Sequence, residues 1–291
     1  MDIDRRSLMK GMLASGALMA LGSPPWAFAN QPAPRPGRCV LLLNGAKVDD
    51  SFERGARAAC GGMAFEGLDI VRLKDGLLSG TQNIARAMER SREARWIAVM
   101  DDAGAIIFLE LARAAGARML SMGMHACSTD DAGRLRHEIA TASAACSAGE
   151  LLASQLIRRP HDFSVRETFL QAPPARSSST GWSARAVSSY RLHGPDIFHM
   201  HCAGVSLTEG CERMSLPAAG HWTAIPPPVS SRDFVSWPAD NWVQSVGYAV
   251  TAAALGPAAV AESCSGRAFI HATPIREAQE KERFVSFIVD I

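Results

Sequence analysis

Apolar runs and amphipathic segments alternate along the first half of the chain. Four runs, within "CVLLLNGA", "LDIVRL", "RWIAVMDD" and "RMLSMGMH", are bounded by turn residues and have the length of buried strands. The segments between them carry apolar residues at helical spacing, with capping residues at the starts of the first two. They predict helices over 50–62, 81–94 and 103–116.

Strands that alternate with helices of this length form parallel βαβ units, with helices on both faces of the sheet. The alternation therefore predicts an α/β fold: a three-layer, doubly wound and mainly parallel sheet in a Rossmann-like module over 39–160. The last part of this module, 137–159, is rich in small apolar residues and predicts a helix that Pro160 ends.

The second half of the chain has a different pattern. Residues 161–291 contain several β-like segments with aromatic and β-branched residues, and two helical segments, "TEGCERMSL" and "DNWVQSVGYAVTAAALG". This pattern predicts a mixed α+β region that is packed on the first module or extends its sheet.

Polar residues follow the predicted parallel strands, at the edge where ligands bind in open α/β sheets. Asn44, Asp101, Asp102 and His125 lie at these strand ends and predict a site for a small ligand. Asp101 and Asp102 have two interpretations. One of them acts as an acid or base with a raised pKa, or one caps the following helix while the other is solvated.

"FHMHCAG" contains the densest group of metal-binding residue types. On a strand, His199 and His201 project from the same face and could share a zinc or copper ion. The candidates for a third ligand are His125, His221 and Asp102. The alternative is that the two histidines only form hydrogen bonds with their neighbours.

The chain contains seven cysteines. Cys39 and Cys60 lie in apolar segments and are predicted to be small core residues. Cys202 with Cys211 is a candidate disulfide, and so is Cys127 with Cys146, because an oxidising compartment favours disulfides. The sequence leaves this connectivity open.

The first 29 residues have the parts of an export signal. Arg5 and Arg6 precede an apolar run over 11–21, which is too short to span a bilayer, and Ala-Phe-Ala at 27–29 suits a signal peptidase. A Pro-rich linker over 30–38 follows.

The arginine pair, followed by Leu8 and Lys10, resembles a twin-arginine signal. It differs from the strongest form of that signal at Leu8, where phenylalanine is common, and at Met9, where leucine is common. The resemblance implies a bacterial protein that folds in the cytoplasm and that the twin-arginine machinery exports to the periplasm. An ordinary Sec signal is the alternative.

Charge and motifs exclude several classes of function. The formal net charge is +1, and the first 29 residues hold three basic and two acidic residues, so the remaining chain is formally neutral. A neutral chain argues against a nucleic-acid or anionic-membrane partner. The dinucleotide fingerprint, the P-loop, G-x-S-x-G and H-E-x-x-H are all absent from the sequence.

The sequence thus predicts an exported periplasmic protein without a stable membrane anchor. Its predicted role is non-catalytic: it binds a small ligand, or it is an accessory protein of an exported complex. Two alternatives remain. One is a metal-dependent hydrolase or oxidoreductase that uses the His/Cys cluster, and the other is a structural subunit carried with a cofactor-bearing partner. The sequence identifies no cofactor.

Overall fold

The structure, a computed structural model, describes residues 36–128, 134–142, 146–159, 161–170, 187–192, 197–225, 237–256, 264–273 and 281–291. The predicted signal peptide over 1–29 and most of the linker over 30–38 lie outside these residues. Within the described part of the chain, eleven strands form one mixed sheet that six helices accompany, so the fold is mixed α/β.

The strands are numbered in chain order. They are β1 (Cys39–Leu43), β2 (Leu68–Arg72), β3 (Arg95–Met100), β4 (Arg118–Ser128), β5 (Arg134–Thr141), β6 (Phe163–Phe169), β7 (Val187–Leu192), β8 (Phe198–Ala203), β9 (Trp222–Ile225), β10 (Gly266–His271) and β11 (Arg283–Asp290). The helices are α1 (Asp49–Gly62), α2 (Gly76–Arg90), α3 (Asp102–Ala114), α4 (Gly149–Leu156), α5 (Leu207–Met214) and α6 (Trp242–Leu255). Among the described residues, no helix has both the length and the hydrophobicity that a bilayer crossing needs.

The sheet has the strand order β2-β1-β3-β11-β4-β5-β6-β10-β8-β7-β9. β1 pairs in parallel with β2 and with β3, as the alternation predicts. β4, the fourth predicted strand, does not pair with β3, because β11 lies between them and is antiparallel to both. The sheet also continues from the first predicted region into the second, since β5 pairs in parallel with β6.

The helix predicted over 137–159 is wrong in its first part. Arg134–Thr141 forms β5, in which Leu135 and Ile139 are buried while Arg136 is exposed. This two-residue period is that of a strand with one covered face, and the buried His137 takes one of its inward positions. The helix α4 begins only at Gly149.

Helices cover both faces of the sheet. On the first face, Leu41 and Leu43 of β1 share an apolar core with Phe52 of α1 and with residues of α4 and α6. On the second face, Val40 and Leu42 pack with residues of α2 and α3. α5 lies on the second face at the far end, against β8 and β10.

α1 and α6 cross closely on the first face, because each has a glycine at the crossing. A methyl group added at Gly247 of α6 would lie 3.0 Å from backbone atoms of Phe52. A methyl group at Gly55 of α1 would clash with the Gln244 backbone. Both clashes involve main-chain atoms, so a larger residue would have to move a helix.

We expect Gly247→Ala to lower the free energy of unfolding by about 2–3 kcal/mol, because overpacking at a helix crossing strains both backbones. Gly61→Ala is the control, since a methyl group at Gly61 of α1 meets no atom within 4 Å. It should be neutral, or should stabilise by up to about 1 kcal/mol through helix propensity. Urea unfolding measures both variants, and equal effects of the two substitutions would contradict the close crossing.

Candidate functional site

Two of the predicted site residues meet at the carboxyl ends of neighbouring parallel strands. Asn44 follows β1 and Asp101 follows β3. A methyl group added at Gly104, in the first turn of α3, would lie 2.6 Å from Asn44 Nδ2 and 3.0 Å from Asp101 Oδ1. The side chains of Asn44 and Asp101 therefore both lie next to Gly104 of α3.

Asp101 and Asp102 have different environments. Asp101 Oδ1 accepts a hydrogen bond from Gly104 N at 2.8 Å and so caps α3, as one of the two sequence-based interpretations predicts. Asp102 Oδ2 lies 3.3 Å from Arg283 Nη2 on β11. Asp102 Oδ1 is buried and has no hydrogen-bond partner among the described residues.

Asp49 belongs to the same edge of the sheet, although the sequence-based prediction did not include it. Its Oδ2 accepts hydrogen bonds from Gly45 N at 2.7 Å and Ala46 N at 3.2 Å, and the residue is only 4% exposed. Burial raises the pKa of Asp49 to about 6, against the opposing effect of these two hydrogen bonds and of Arg72. The sequence-based prediction instead had Asp50 or Ser51 as the cap of this helix.

The loops after β1 and β2 touch through two glycines with left-handed backbone conformations. Gly45 has φ +78°, and a methyl group there would lie 2.8 Å from Leu73 O. Gly76 has φ +72°, and a methyl group there would lie 3.8 Å from Asn44 Oδ1. Glycine adopts this conformation without strain, so α2 can begin directly beside the Asn44 side chain.

We call Asn44, Asp49, Asp101 and Asp102 the strand-end site. Three of its side-chain oxygens, Asn44 Oδ1, Asp49 Oδ1 and Asp102 Oδ1, are buried without a hydrogen-bond partner among the described residues. Folded proteins satisfy the large majority of such atoms. The strand-end site therefore has unused capacity to accept hydrogen bonds.

The structure does not bring His125 to the strand-end site. β4 continues to Ser128, so His125 lies inside the strand, where its ring is fully buried on the first face. Its Nδ1 lies 3.0 Å from Nδ1 of His137, and its Nε2 lies 2.8 Å from Ser286 Oγ. A methyl group at Gly123 would lie 2.6 Å from His125 Nε2, so this glycine makes room for the ring.

His125 and His137 are held in their neutral forms. Burial lowers the pKa of His125 well below its usual value, and the nearby His137 lowers it further. Burial alone lowers the pKa of His137 to about 3. Trp242 and Phe284 stack beside the two rings with 5.4 Å between their own ring centroids, so the pair lies in an apolar setting.

His199 and His201 lie side by side on the first face of β8, as predicted, and both are buried. His201 Nδ1 is 2.8 Å from Ser189 Oγ, and the ring stacks on Phe269 at 4.9 Å. Within the described ranges, no three His, Cys, Asp or Glu residues are placed to hold a metal ion. The metal site stays a prediction, and the contact with Ser189 fits the alternative interpretation for His201.

The three candidates for a third metal ligand have different surroundings in the structure. His125 contacts His137 and Ser286, Asp102 pairs with Arg283, and His221 is exposed next to β9.

All seven cysteines are buried. Cys202 and Cys211 share an apolar cluster between β8 and α5, but both thiols are free, so the predicted disulfide is not formed in this structure. Burial raises the pKa of Cys202 to about 12, which makes it a poor nucleophile. Cys39 and Cys60 lie together in a small core cluster, as predicted.

A buried ion network lies on the first face between β6, β10 and α4, and no sequence pattern indicated it. Arg267 is 1% exposed, and it donates hydrogen bonds to Glu167 Oε2 at 3.0 Å, to Glu150 Oε2 at 2.9 Å and to Ser147 Oγ. Glu167 also accepts hydrogen bonds from Ser147 Oγ and Thr141 Oγ1 at 2.7 and 3.1 Å. These three hydrogen-bond partners lie 100 to 120 positions from Arg267 in the chain, so no local pattern could reveal them.

Comparisons with known proteins provide no further guide to the site. No family model matches the chain, and neither the curated proteins nor the solved structures contain a significant match.

We expect the stability of the protein to fall as the pH decreases from 7.5 to 5. The folded protein keeps His125 and His137 neutral, whereas in the unfolded chain both titrate near pH 6.5 and take up protons below it. Each histidine should cost about 2 kcal/mol at pH 5. The free energy of unfolding, measured in urea across this pH range, checks the loss.

Substitution of the pair separates its effect from that of other groups. The double variant His125→Gln/His137→Gln should be less stable than the wild type at pH 7.5, but its stability should depend less on pH. His221→Gln, which replaces an exposed histidine, is the matched control and should keep the wild-type slope. A double variant with the full wild-type slope would show that other groups cause the acid sensitivity.

Proposed function

We propose that the protein binds a small molecule at the strand-end site, without catalysing a reaction on it. The three parallel strands and their helices support this location. From β1, the chain passes through α1 on the first face to β2, whereas α2 and α3 lie on the second face. The helices that follow β1 and β3 thus lie on opposite faces of the sheet, and open α/β sheets bind ligands between neighbouring strands of this kind.

The observation that carries the proposal is the set of three buried, unpartnered oxygens on Asn44, Asp49 and Asp102. Asn44 and Asp49 follow β1, and Asp102 follows the adjacent strand β3. A bound molecule would supply the hydrogen bonds that the described residues do not. Each buried acceptor without a partner costs about 1–3 kcal/mol, so a ligand that satisfies these atoms recovers free energy on binding.

Asp101 and Asp102, the two carboxylates that follow β3, make contacts that favour binding over catalysis. Asp101 caps α3, and Asp102 pairs with Arg283. Both contacts hold the carboxylates in fixed positions. They suit groups that orient a ligand better than groups that exchange protons with a substrate.

We also propose that the protein works in the periplasm after export through the twin-arginine route. The arginine pair at Arg5 and Arg6 supports this, and so does the burial of all seven cysteines. If the chain folds before export, its thiols are already buried when the protein reaches the oxidising compartment. That order would leave the pair Cys202 and Cys211 reduced.

Binding can be tested with a low-molecular-mass extract of the cells that produce the protein. The extract should raise the melting temperature of the wild type by about 3 °C or more, because a ligand at many times its Kd stabilises the folded state. Asn44→Ala should abolish the shift. Asn83→Ala, at an exposed position of α2, is the matched control and should keep it. An equal shift in wild type and Asn44→Ala would place the ligand elsewhere, and no shift in the wild type would refute the proposal.

Export can be tested with the double variant Arg5→Lys/Arg6→Lys. The twin-arginine receptor reads the pair itself, so this conservative change should leave the protein in the cytoplasm. Cell fractionation measures the periplasmic share of the wild type and the variant. Lys10→Arg keeps the pair and should be exported normally. Normal export of the double variant would instead indicate the Sec route.

A further inference from the structure

Carboxylates of the protein already occupy three main-chain donors around the strand-end site. Asp49 Oδ2 accepts hydrogen bonds from Gly45 N and Ala46 N, in the loop after β1. Asp101 Oδ1 accepts from Gly104 N, in the first turn of α3. In many α/β proteins, N–H groups at these positions bind phosphate or another anion. Here carboxylates occupy that place, so an anionic ligand would be repelled at these donors.

The oxygens that remain are all acceptors, and the two arginines beside the site are engaged, whereas Lys47 and Lys74 in the neighbouring loops are exposed. Arg72 at the end of β2 pairs with Asp50 at 3.1 Å and with Glu53, and Arg283 pairs with Asp102. Asp49 itself is only 4% exposed, and its Oδ1 has no hydrogen-bond partner among the described residues. A ligand that fits must therefore donate several hydrogen bonds, and positive charge on it would balance the Asp49 carboxylate.

We propose that the ligand of the strand-end site is a small organic cation with an amine or guanidinium group. This inference rests on the proposed binding function and specifies its chemistry. The acceptors open to it are Asp49 Oδ1, Asn44 Oδ1 and Asp102 Oδ1. An ammonium group has three N–H donors and a guanidinium group has more, so either can serve three acceptors at once.

Binding of a cation is coupled to the charge of Asp49. Burial raises the pKa of this carboxyl to about 6, while Arg72 opposes the shift and Asp50 adds to it. A cation binds the charged carboxylate, so its affinity should rise with pH through this range and binding should release a proton. A neutral ligand of the same shape would not depend on pH in this way.

The test uses methylguanidinium as the probe and methylurea, its neutral analogue, as the comparison. Each is titrated at constant ionic strength into the ¹⁵N-labelled protein, and the amide signals of Gly45, Ala46 and Gly104 are followed by NMR. Methylguanidinium should shift them and saturate in the millimolar range at pH 7.5. Its affinity should be about tenfold lower at pH 5.0, where most of Asp49 is protonated. Methylurea should bind at least tenfold more weakly at pH 7.5.

Two neighbouring carboxylates provide matched variants. Asp49→Asn should abolish methylguanidinium binding, whereas Asp50→Asn, at an 83% exposed side chain, should keep it. Asn44→Ala should weaken binding, and the NMR spectrum shows whether each variant is folded. Equal binding by wild type and a folded Asp49→Asn would overturn the inference.

The remaining outcomes distinguish the ligand class from the site. If inorganic phosphate, methylurea or Ca²⁺ shifts the same amides more tightly than methylguanidinium, the ligand class is wrong while the site stands. A second outcome is that methylguanidinium causes no shifts up to 100 mM while the cell extract still stabilises the wild type but not Asn44→Ala. That result would refute the cationic ligand and leave the proposed binding function intact. If neither the probes nor the extract acts on the wild type, both the cationic ligand and the proposed binding function are refuted.

Discussion

The sheet depends on β11, the antiparallel strand that lies between β3 and β4. Its main chain pairs with both neighbours and joins the three parallel strands to the rest of the sheet. Asp290 reinforces the junction, because it forms ion pairs with Arg95 of β3 at 2.6 Å and with Arg118 of β4 at 2.5 Å. Arg95 is 4% exposed and also donates a hydrogen bond to Ala254 O of α6, so the junction is tied to the covering helix.

The first face of the sheet buries several polar groups, and most of them satisfy one another. Arg267 meets two carboxylates and a hydroxyl, and His125 lies between His137 and Ser286. A slip of one residue in any strand would turn these groups to the other face and leave their partners unpaired. Loss of one member of such a buried ion pair costs about 3–5 kcal/mol. The polar groups therefore fix the register. The exceptions include His137 Nε2 on this face and the three unpartnered oxygens of the strand-end site.

Local patterns predicted the local structure well. The apolar runs identified β1, β2 and β3, and the helical spacing identified α1 and α3, because each signal lies within a few consecutive residues. The position of β11 was not predictable, since its partners lie far away in the chain and apolar strands are alike in composition. His125 was misplaced because β4 continues past it to Ser128. Asp49 was missed because only the folded loop shows that it is buried and that Asp50 is not.

The position of β11 also affects the order in which the protein can be built. Arg95 and Asp290 are 195 positions apart, so the centre of the sheet has a very high contact order, which slows folding. Until residue 290 has left the ribosome, β3 and β4 have no strand between them, and their open edges can pair with other chains. A newly made chain is thus most exposed to wrong pairing during the period before β11 is complete.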